Sequence, residues 1–178
     1  AGCQQVLESG DVGPNLERPR AGLGLSDDEL TVVEVLKDEL GMTHVKYERR
    51  KHGLEVVSGE IKAHLDANDQ IYAITGSRND DRWVSKVPVW GEVRALEKAR
   101  ELAETLSLAP PRLVYVIPND ERGIFLAWEI RAQGASNGLP VDDLLYVGAL
   151  NGDLIDRHPQ VRPLLDRRLY SANLAESL

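Results

Sequence analysis

The sequence has few of the residues that disulfides, zinc clusters and membrane spans require. Cys3 is the single cysteine among 178 residues, so no disulfide within the chain and no cysteine-based zinc site can form. No apolar run approaches the roughly 20 residues that a membrane-spanning helix needs. Lys and Arg number 21 against 29 Asp and Glu, a net charge of −8. Because both halves share this acidity, a nucleic-acid partner is disfavoured.

Sequence signatures of catalysis are absent as well. The phosphate-binding loops GxGxxG and GxxxxGK[ST], the GxSxG elbow and the zinc-binding HExxH helix do not occur. Among the four histidines, His44 and His64 fall on neighbouring predicted strands. There, satisfied or surface imidazoles are the ordinary interpretation, and a two-histidine metal site or ligand pocket is the alternative. By exclusion, we expect the chain to bind a partner rather than to catalyse a reaction.

The first three residues, Ala1, Gly2 and Cys3, have the small-small-Cys form that ends a bacterial lipoprotein signal. Two interpretations stay open. Cys3 is a lipidation site that anchors the chain to a membrane, or it is an ordinary free thiol after a small-residue signal-peptidase junction. Both interpretations predict a secreted or periplasmic protein whose signal peptide preceded Ala1.

Residues 23–78 predict a helix followed by a three-stranded meander. A capping box at Ser26 and apolar residues at helical spacing predict a helix that ends at Gly41. Alternating apolar and polar residues then predict three antiparallel strands between residues 43 and 76. We expect the helix to cover the apolar face of these strands.

The second half of the chain predicts the same order of elements. A helix from about residue 92 to 108 stops before two prolines, and a loop is predicted at 133–140. The predicted strands are 112–117, 124–131, 144–149 and 153–156. The sequence thus predicts an α+β fold of two small lobes, each an antiparallel meander sheet backed by one helix in a cystatin-like manner. The predicted division is an irregular lead-in at 1–22, a first lobe at 23–78, a linker at 79–90, a second lobe at 91–157 and a C-terminal segment at 158–178.

Four motifs accompany the helical pattern in residues 23–77, namely GMTHVKY at 41–47, KHG at 51–53, VVSGE at 56–60 and AHLD at 63–66. With these motifs, residues 23–77 resemble the FTP domain, the fungalysin/thermolysin propeptide domain. The lobe at 91–157 resembles a PepSY domain. The sequence RRLYSAN at 167–173 is similar to the segment that joins such propeptides to a thermolysin-type (M4) zinc peptidase.

The resemblance implies a propeptide of a secreted metalloprotease, acting as an intramolecular chaperone and inhibitor of its own catalytic domain. Zinc and calcium are then expected only in that peptidase, and this chain is expected to hold no cofactor, no metal and no catalytic residue. The expected contacts with the peptidase lie in the C-terminal segment, at Leu164, Leu165, Arg168, Leu169, Tyr170 and Asn173. Two alternatives remain, a free-standing lipoprotein-type inhibitor or sensor anchored through Cys3, and a small ligand-binding or enzymatic domain in which His44 and His64 converge.

Overall fold

The computed structural model describes residues 5–6, 28–76, 84–120 and 123–161. Within these residues the chain forms eleven strands and one helix, α1 (Glu92–Leu102). In chain order the strands are β1 (Gln5–Val6), β2 (Asp28–Lys37), β3 (Thr43–Lys51), β4 (Leu54–Val57), β5 (Ile61–Leu65), β6 (Ile71–Gly76), β7 (Ser107–Leu108), β8 (Arg112–Val116), β9 (Phe125–Ser136), β10 (Leu139–Gly148) and β11 (Leu154–Pro159).

The strands form two connected sheets. The N-terminal sheet has the order β1-β2-β3-β5-β6, all antiparallel. The C-terminal sheet has the order β4-β8-β9-β10-β11, with β7 pairing beside β9. β3 pairs with β5 along its first half and with β4 at its end. Hydrogen bonding therefore runs without a break through all eleven described strands.

The prediction of two lobes, each backed by one helix, is wrong, because the predicted first helix is strand β2. Val35 of β2 pairs with Val45 of β3, and the two strands are in register from Asp28 to Lys37 with one bulge after Val32. β-Branched residues dominate this segment, at Thr31, Val32, Val33 and Val35. Such side chains are stiff in a helix and pack well on a pleated surface. The nine residue pairs between β2 and β3 thus outweigh the capping box, which marks only one end of a helix.

The N-terminal sheet buries one face and exposes the other. Its buried residues are Val35, Val45, Tyr47, Ile61, Ala63 and Leu65. The alternate residues of β3 and β5, among them His44, Lys46, Lys62 and His64, form the polar face of this sheet. This alternation is the period of two that the sequence predicted for the meander strands.

Helix α1 packs on the C-terminal sheet. It begins at Glu92 as predicted and ends at Leu102, six residues before the predicted end, because residues 107–108 pair with β9 instead. Three alanines of α1 and the following turn face the sheet, and their small side chains let the helix approach it closely. The buried cluster consists of Ala95, Ala99, Ala103, Ile130, Ala132, Leu145 and Val147.

The predicted loop at residues 133–140 is a tight β-hairpin between β9 and β10. Ser136 pairs with Leu139, and the two residues between them, Asn137 and Gly138, both have positive φ, at 53° and 76°. Asn-Gly with two positive φ values is the preferred sequence of a type I′ hairpin turn. The predicted loop is therefore wrong, although its sequence contained the signal for the hairpin.

β4 connects the two halves of the chain. It follows β3 in a hairpin and runs parallel to β8, with Val56 opposite Tyr115 and Val57 opposite Val116. Val56 is 4% exposed and belongs to the apolar core of the C-terminal half. The first half of the chain therefore contributes a strand to the sheet of the second half. The predicted domain boundaries themselves stay predictions.

Candidate functional site

The predicted partner contacts lie outside the described residues. Leu164, Leu165, Arg168, Leu169, Tyr170 and Asn173 all fall within residues 162–178, and Cys3 falls within residues 1–4. Their assignment as contact and lipidation sites therefore stays a prediction. Of the other residues that the sequence singled out, His44 and His64 lie in the described part.

His44 on β3 and His64 on β5 are directly opposite each other in the antiparallel register. Their Nδ1 atoms are 2.8 Å apart, and their rings meet edge to face with centroids separated by 5.0 Å. The sequence predicted that these residues could face each other across the sheet, and the structure brings them together. They lie on the polar face, half-buried, rather than in a closed pocket.

The outer nitrogens of the histidine pair also have polar neighbours. His44 Nε2 lies 3.4 Å from Asp38 Oδ2, and His64 Nε2 lies 3.1 Å from Thr75 Oγ1 on β6. A single direction of donation satisfies all three contacts. Thr75 donates to His64 Nε2, His64 donates from Nδ1 to His44 Nδ1, and His44 donates from Nε2 to Asp38. The four side chains thus form one hydrogen-bonded row across three strands and the β2–β3 turn.

The β2–β3 turn holds Asp38 in place. The amides of Leu40 and Met42 both donate to Asp38 Oδ1 at 2.9 Å, and Gly41 takes the positive φ of 79° that the turn needs. This leaves Oδ2 directed at His44. Sequence reasoning missed Asp38 because it placed this residue inside a helix. An Asp three residues before a Gly between two strands is, however, an ordinary turn signal.

Burial and charge shift the pKa values of this row. Partial burial of the Asp38 carboxylate acts to raise its pKa, but the Met42 amide, the His44 ring and the Leu40 amide outweigh it and leave the pKa below its usual value. Burial lowers the pKa of His64, and the neighbouring His44 and Lys62 lower it further. The row therefore favours an ionised Asp38 and a neutral His64 at neutral pH.

The other two histidines are far from this row in the fold. His52 Nδ1 lies 3.1 Å from the hydroxyl of Tyr115, and His158 Nε2 lies 3.0 Å from Asp156 Oδ2. In the described part of the chain, no group of three or more His, Cys, Asp or Glu side chains has metal-binding geometry. Within the described residues, a metal on the polar face would therefore have at most two ligands from His, Cys, Asp or Glu side chains.

A second polar cluster lies on the C-terminal sheet and joins β4 to its neighbours. Arg112 on β8 donates from Nη1 to Glu55 on β4 at 2.6 Å, and from Nε and Nη2 to Glu129 on β9 at 3.0 and 2.8 Å. The Tyr146 hydroxyl donates to the other oxygen of Glu129 at 3.1 Å. On the same strand, β8, the hydroxyl of the buried Tyr115 donates to the carbonyl of Ser85 at 2.9 Å. These bonds hold β4 and the chain before α1 against the C-terminal sheet.

An open apolar groove lies at one end of the C-terminal sheet. It has a volume of about 380 Å³ and is lined by Val84, Ser85, Ile124, Phe125, Leu126, Gly148, Leu150, Asn151 and Ile155. Among the described residues, no histidine or carboxylate lines this groove. Within the residues that the structure describes, no helix has the length and apolarity to cross a membrane.

Comparisons with known proteins find a family match within the first half of the chain. Residues 28–77 match the family described as Fungalysin/Thermolysin Propeptide Motif. The chain is also similar to the protein named Gelatinase from Enterococcus faecalis (strain ATCC 700802 / V583), with 26% identity over 135 residues. That match covers 73% of this chain and 25% of the relative, so the chain spans about a quarter of the relative's length.

Among solved structures, the chain is similar to the Bacillus megaterium YpeB C-terminal domain, with 12% identity and a TM-score of 0.41 over 89% of this chain and 70% of that one. A likeness at this level leaves the PepSY assignment of residues 91–157 a prediction. The family match confirms the FTP resemblance and the expectation of a non-catalytic chain, since the matched family is a propeptide motif and not a peptidase domain. Residues 28–77 of this chain are therefore similar to the fungalysin/thermolysin propeptide motif.

Proposed function

We propose that this chain is the propeptide of a secreted thermolysin-like (M4) metallopeptidase, and that it acts as an intramolecular chaperone and inhibitor of that peptidase. The observation that carries this proposal is the match of residues 28–77 to the propeptide motif. The similarity to a protein named Gelatinase supports it. The proposed partner is the catalytic domain of the same precursor, and zinc and calcium belong to that domain.

Chaperone action requires a rigid surface that binds the folded peptidase better than the unfolded one. Such differential binding stabilises the folded partner by mass action. The insertion of β4 between β3 and β8 supports this mechanism, because it makes the two halves of the chain one hydrogen-bonded framework. A covalent link to the peptidase would raise the effective concentration of this surface to the order of millimolar.

Inhibition is assigned to the C-terminal segment. Leu164, Leu165, Leu169 and Tyr170 would provide apolar anchors in the substrate cleft, and Arg168 and Asn173 polar contacts beside them. Large apolar and aromatic side chains are the usual anchors of protein interfaces. The proposal includes secretion into an extracellular or periplasmic space, with or without a lipid anchor at Cys3.

The test adds the separate 178-residue chain to the matched catalytic domain. We expect inhibition at nanomolar to micromolar concentration, together with a higher yield of active enzyme when the denatured catalytic domain refolds beside the chain. The double variant Leu169→Ala, Tyr170→Ala should inhibit at least tenfold less and still assist refolding. If the wild-type chain gives no inhibition and no gain in refolding yield, the proposed function is refuted.

A further inference from the structure

We propose that His44 and His64 form a binding site for a divalent transition-metal ion such as Cu²⁺ or Zn²⁺ on the polar face of the N-terminal sheet. This site is independent of the proposed propeptide function. It also departs from the sequence-based expectation that the chain binds no metal. The ligands are the two Nδ1 atoms, and Asp38 and Thr75 hold the rings from behind.

The inner nitrogens already have the spacing of a chelate. Their separation is 2.8 Å, on residues that the strand register places opposite each other. Two imidazole nitrogens approach this closely only when one carries a hydrogen that it donates to the other, or when both bind one metal ion. Metal–nitrogen bonds of about 2.0–2.1 Å separate two ligands by about 2.9 Å at a right angle and by about 3.3 Å in a tetrahedron. Small rotations of the rings, without strand movement, therefore admit the ion.

The outer nitrogens have the acceptors that metal-bound histidines need. A histidine that binds a metal through one nitrogen normally donates the hydrogen on its other nitrogen to a carboxylate, a hydroxyl or a carbonyl. His44 Nε2 faces Asp38 Oδ2 at 3.4 Å, and His64 Nε2 faces Thr75 Oγ1 at 3.1 Å. When both Nδ1 atoms bind the ion, both Nε2 atoms carry hydrogen, and each has its acceptor in place. Only the hydroxyl hydrogen of Thr75 has to turn away.

The β2–β3 turn fixes the position of Asp38 beside His44. Asp38 cannot swing away from His44 without giving up the amides of Leu40 and Met42, which both donate to its other oxygen at 2.9 Å. The nearby Lys46 is paired with Glu60 at 2.7 Å, so part of its charge is neutralised. This pairing lessens the repulsion that a divalent cation would meet on the polar face.

The donor atoms select the kind of metal. Neutral imidazole suits Cu²⁺, Zn²⁺ and Ni²⁺, whereas Ca²⁺ and Mg²⁺ require several oxygen ligands. In the described residues no third His, Cys, Asp or Glu completes the set. The ion therefore keeps open coordination positions, which water fills. Cu²⁺ is expected to bind most tightly, since it leads the affinity order and accepts a right-angle pair of nitrogens.

The experiment titrates the full chain with CuSO₄, and separately with ZnCl₂, by calorimetry at neutral pH. All proteins carry Cys3→Ser, because the thiol is itself a ligand for these ions. We expect one ion per chain. His44→Gln and His64→Gln should each weaken binding at least tenfold, and Asp38→Asn about tenfold through loss of the ring's acceptor. The matched control His52→Gln removes a histidine that faces Tyr115 instead, and should leave the affinity unchanged.

A spectroscopic readout covers the case in which a variant fails to fold. At one equivalent of Cu²⁺, electron paramagnetic resonance of the wild-type chain should show coupling of the copper to nitrogens of two imidazole rings. Binding to the wild type that neither His44→Gln nor His64→Gln weakens would overturn the proposal. So would a copper spectrum with a single imidazole nitrogen, or no binding at all. Each of these three results would mean that the two Nδ1 atoms do not bind a metal ion together.

Discussion

The guanidinium of Arg112 lies 2.6 Å from the carboxylate of Glu55, an ion pair that joins β8 of the second half to β4 of the first. Arg112 also bonds to Glu129, whose side chain is only 13% exposed, whereas Glu55 is 40% exposed. Desolvation acts to lower the pKa of Arg112, but its bonds to Glu55 and Glu129 outweigh this and raise it. One cation thus serves an exposed and a largely buried carboxylate.

This difference predicts unequal effects of two substitutions. Glu55→Gln should lower the free energy of unfolding by about 0.2–1 kcal/mol, as for other exposed pairs. Arg112→Met should lower it by about 1–3 kcal/mol, because it leaves the buried Glu129 without its cation. Urea denaturation measures both values. Equal losses would show that Glu129 gains nothing from Arg112.

Tyr115→Phe tests the contact between β8 and the segment before α1. The Tyr115 side chain is fully buried, and its hydroxyl donates to the Ser85 carbonyl at 2.9 Å. Removing the hydroxyl should cost about 1–2 kcal/mol of unfolding free energy, since the part-buried Ser85 carbonyl loses its donor. Tyr72→Phe is the matched control, because Tyr72 is 57% exposed, and it should change stability by less than about 0.5 kcal/mol. Equal losses of stability in Tyr115→Phe and Tyr72→Phe would contradict the hydrogen bond from Tyr115 to Ser85.

Two glycines separate backbone strain from steric overlap. Gly152 and Gly138 have nearly equal φ values, 79° and 76°. A Cβ at Gly152 would meet the Trp90 ring at 2.2 Å, whereas a Cβ at Gly138 has nothing within 4 Å. Gly138→Ala should cost about 1–2 kcal/mol for the left-handed backbone alone. Gly152→Ala should cost about 1–3 kcal/mol more, for displacing Trp90. Thermal unfolding of both variants measures the difference, and similar midpoints would rule out the packing of Trp90 on this turn.

Asp156 should contribute to unfolding at acid pH. Burial acts to raise its pKa, but the amides of Asn119 and Arg157 and the ring of His158 outweigh it and leave the pKa below the usual 3.8. Between the lowered pKa and the usual 3.8, the unfolded chain therefore binds more protons at Asp156 than the folded chain does. The stabilisation is present above pH 3.8 and is lost as the pH falls through the lowered pKa. Asp156→Asn should flatten this part of the stability–pH curve. If Asp156→Asn loses stability at acid pH as steeply as the wild type does, Asp156 is not a source of the acid unfolding.

The sequence predicted the strands better than their assembly. Period-two alternation located β3 and β5 and even the meeting of His44 with His64, because alternation alone decides which side chains share a face. It failed at residues 28–37, where apolar residues fit a helical spacing and a strand equally well. Pairing with β3, a tertiary effect, decided for the strand. The parallel contact of β4 with β8 spans about 60 residues of sequence, and no local pattern marks it.

The most direct test of the propeptide account is the refolding of the denatured matched catalytic domain, followed by its peptidase activity after the propeptide is removed. One sample refolds with an equimolar amount of the chain. A parallel sample refolds with serum albumin instead, as a control for nonspecific protection. The account predicts that the chain raises the yield of active peptidase several-fold above the albumin control. Equal yields with the chain and with albumin would contradict it.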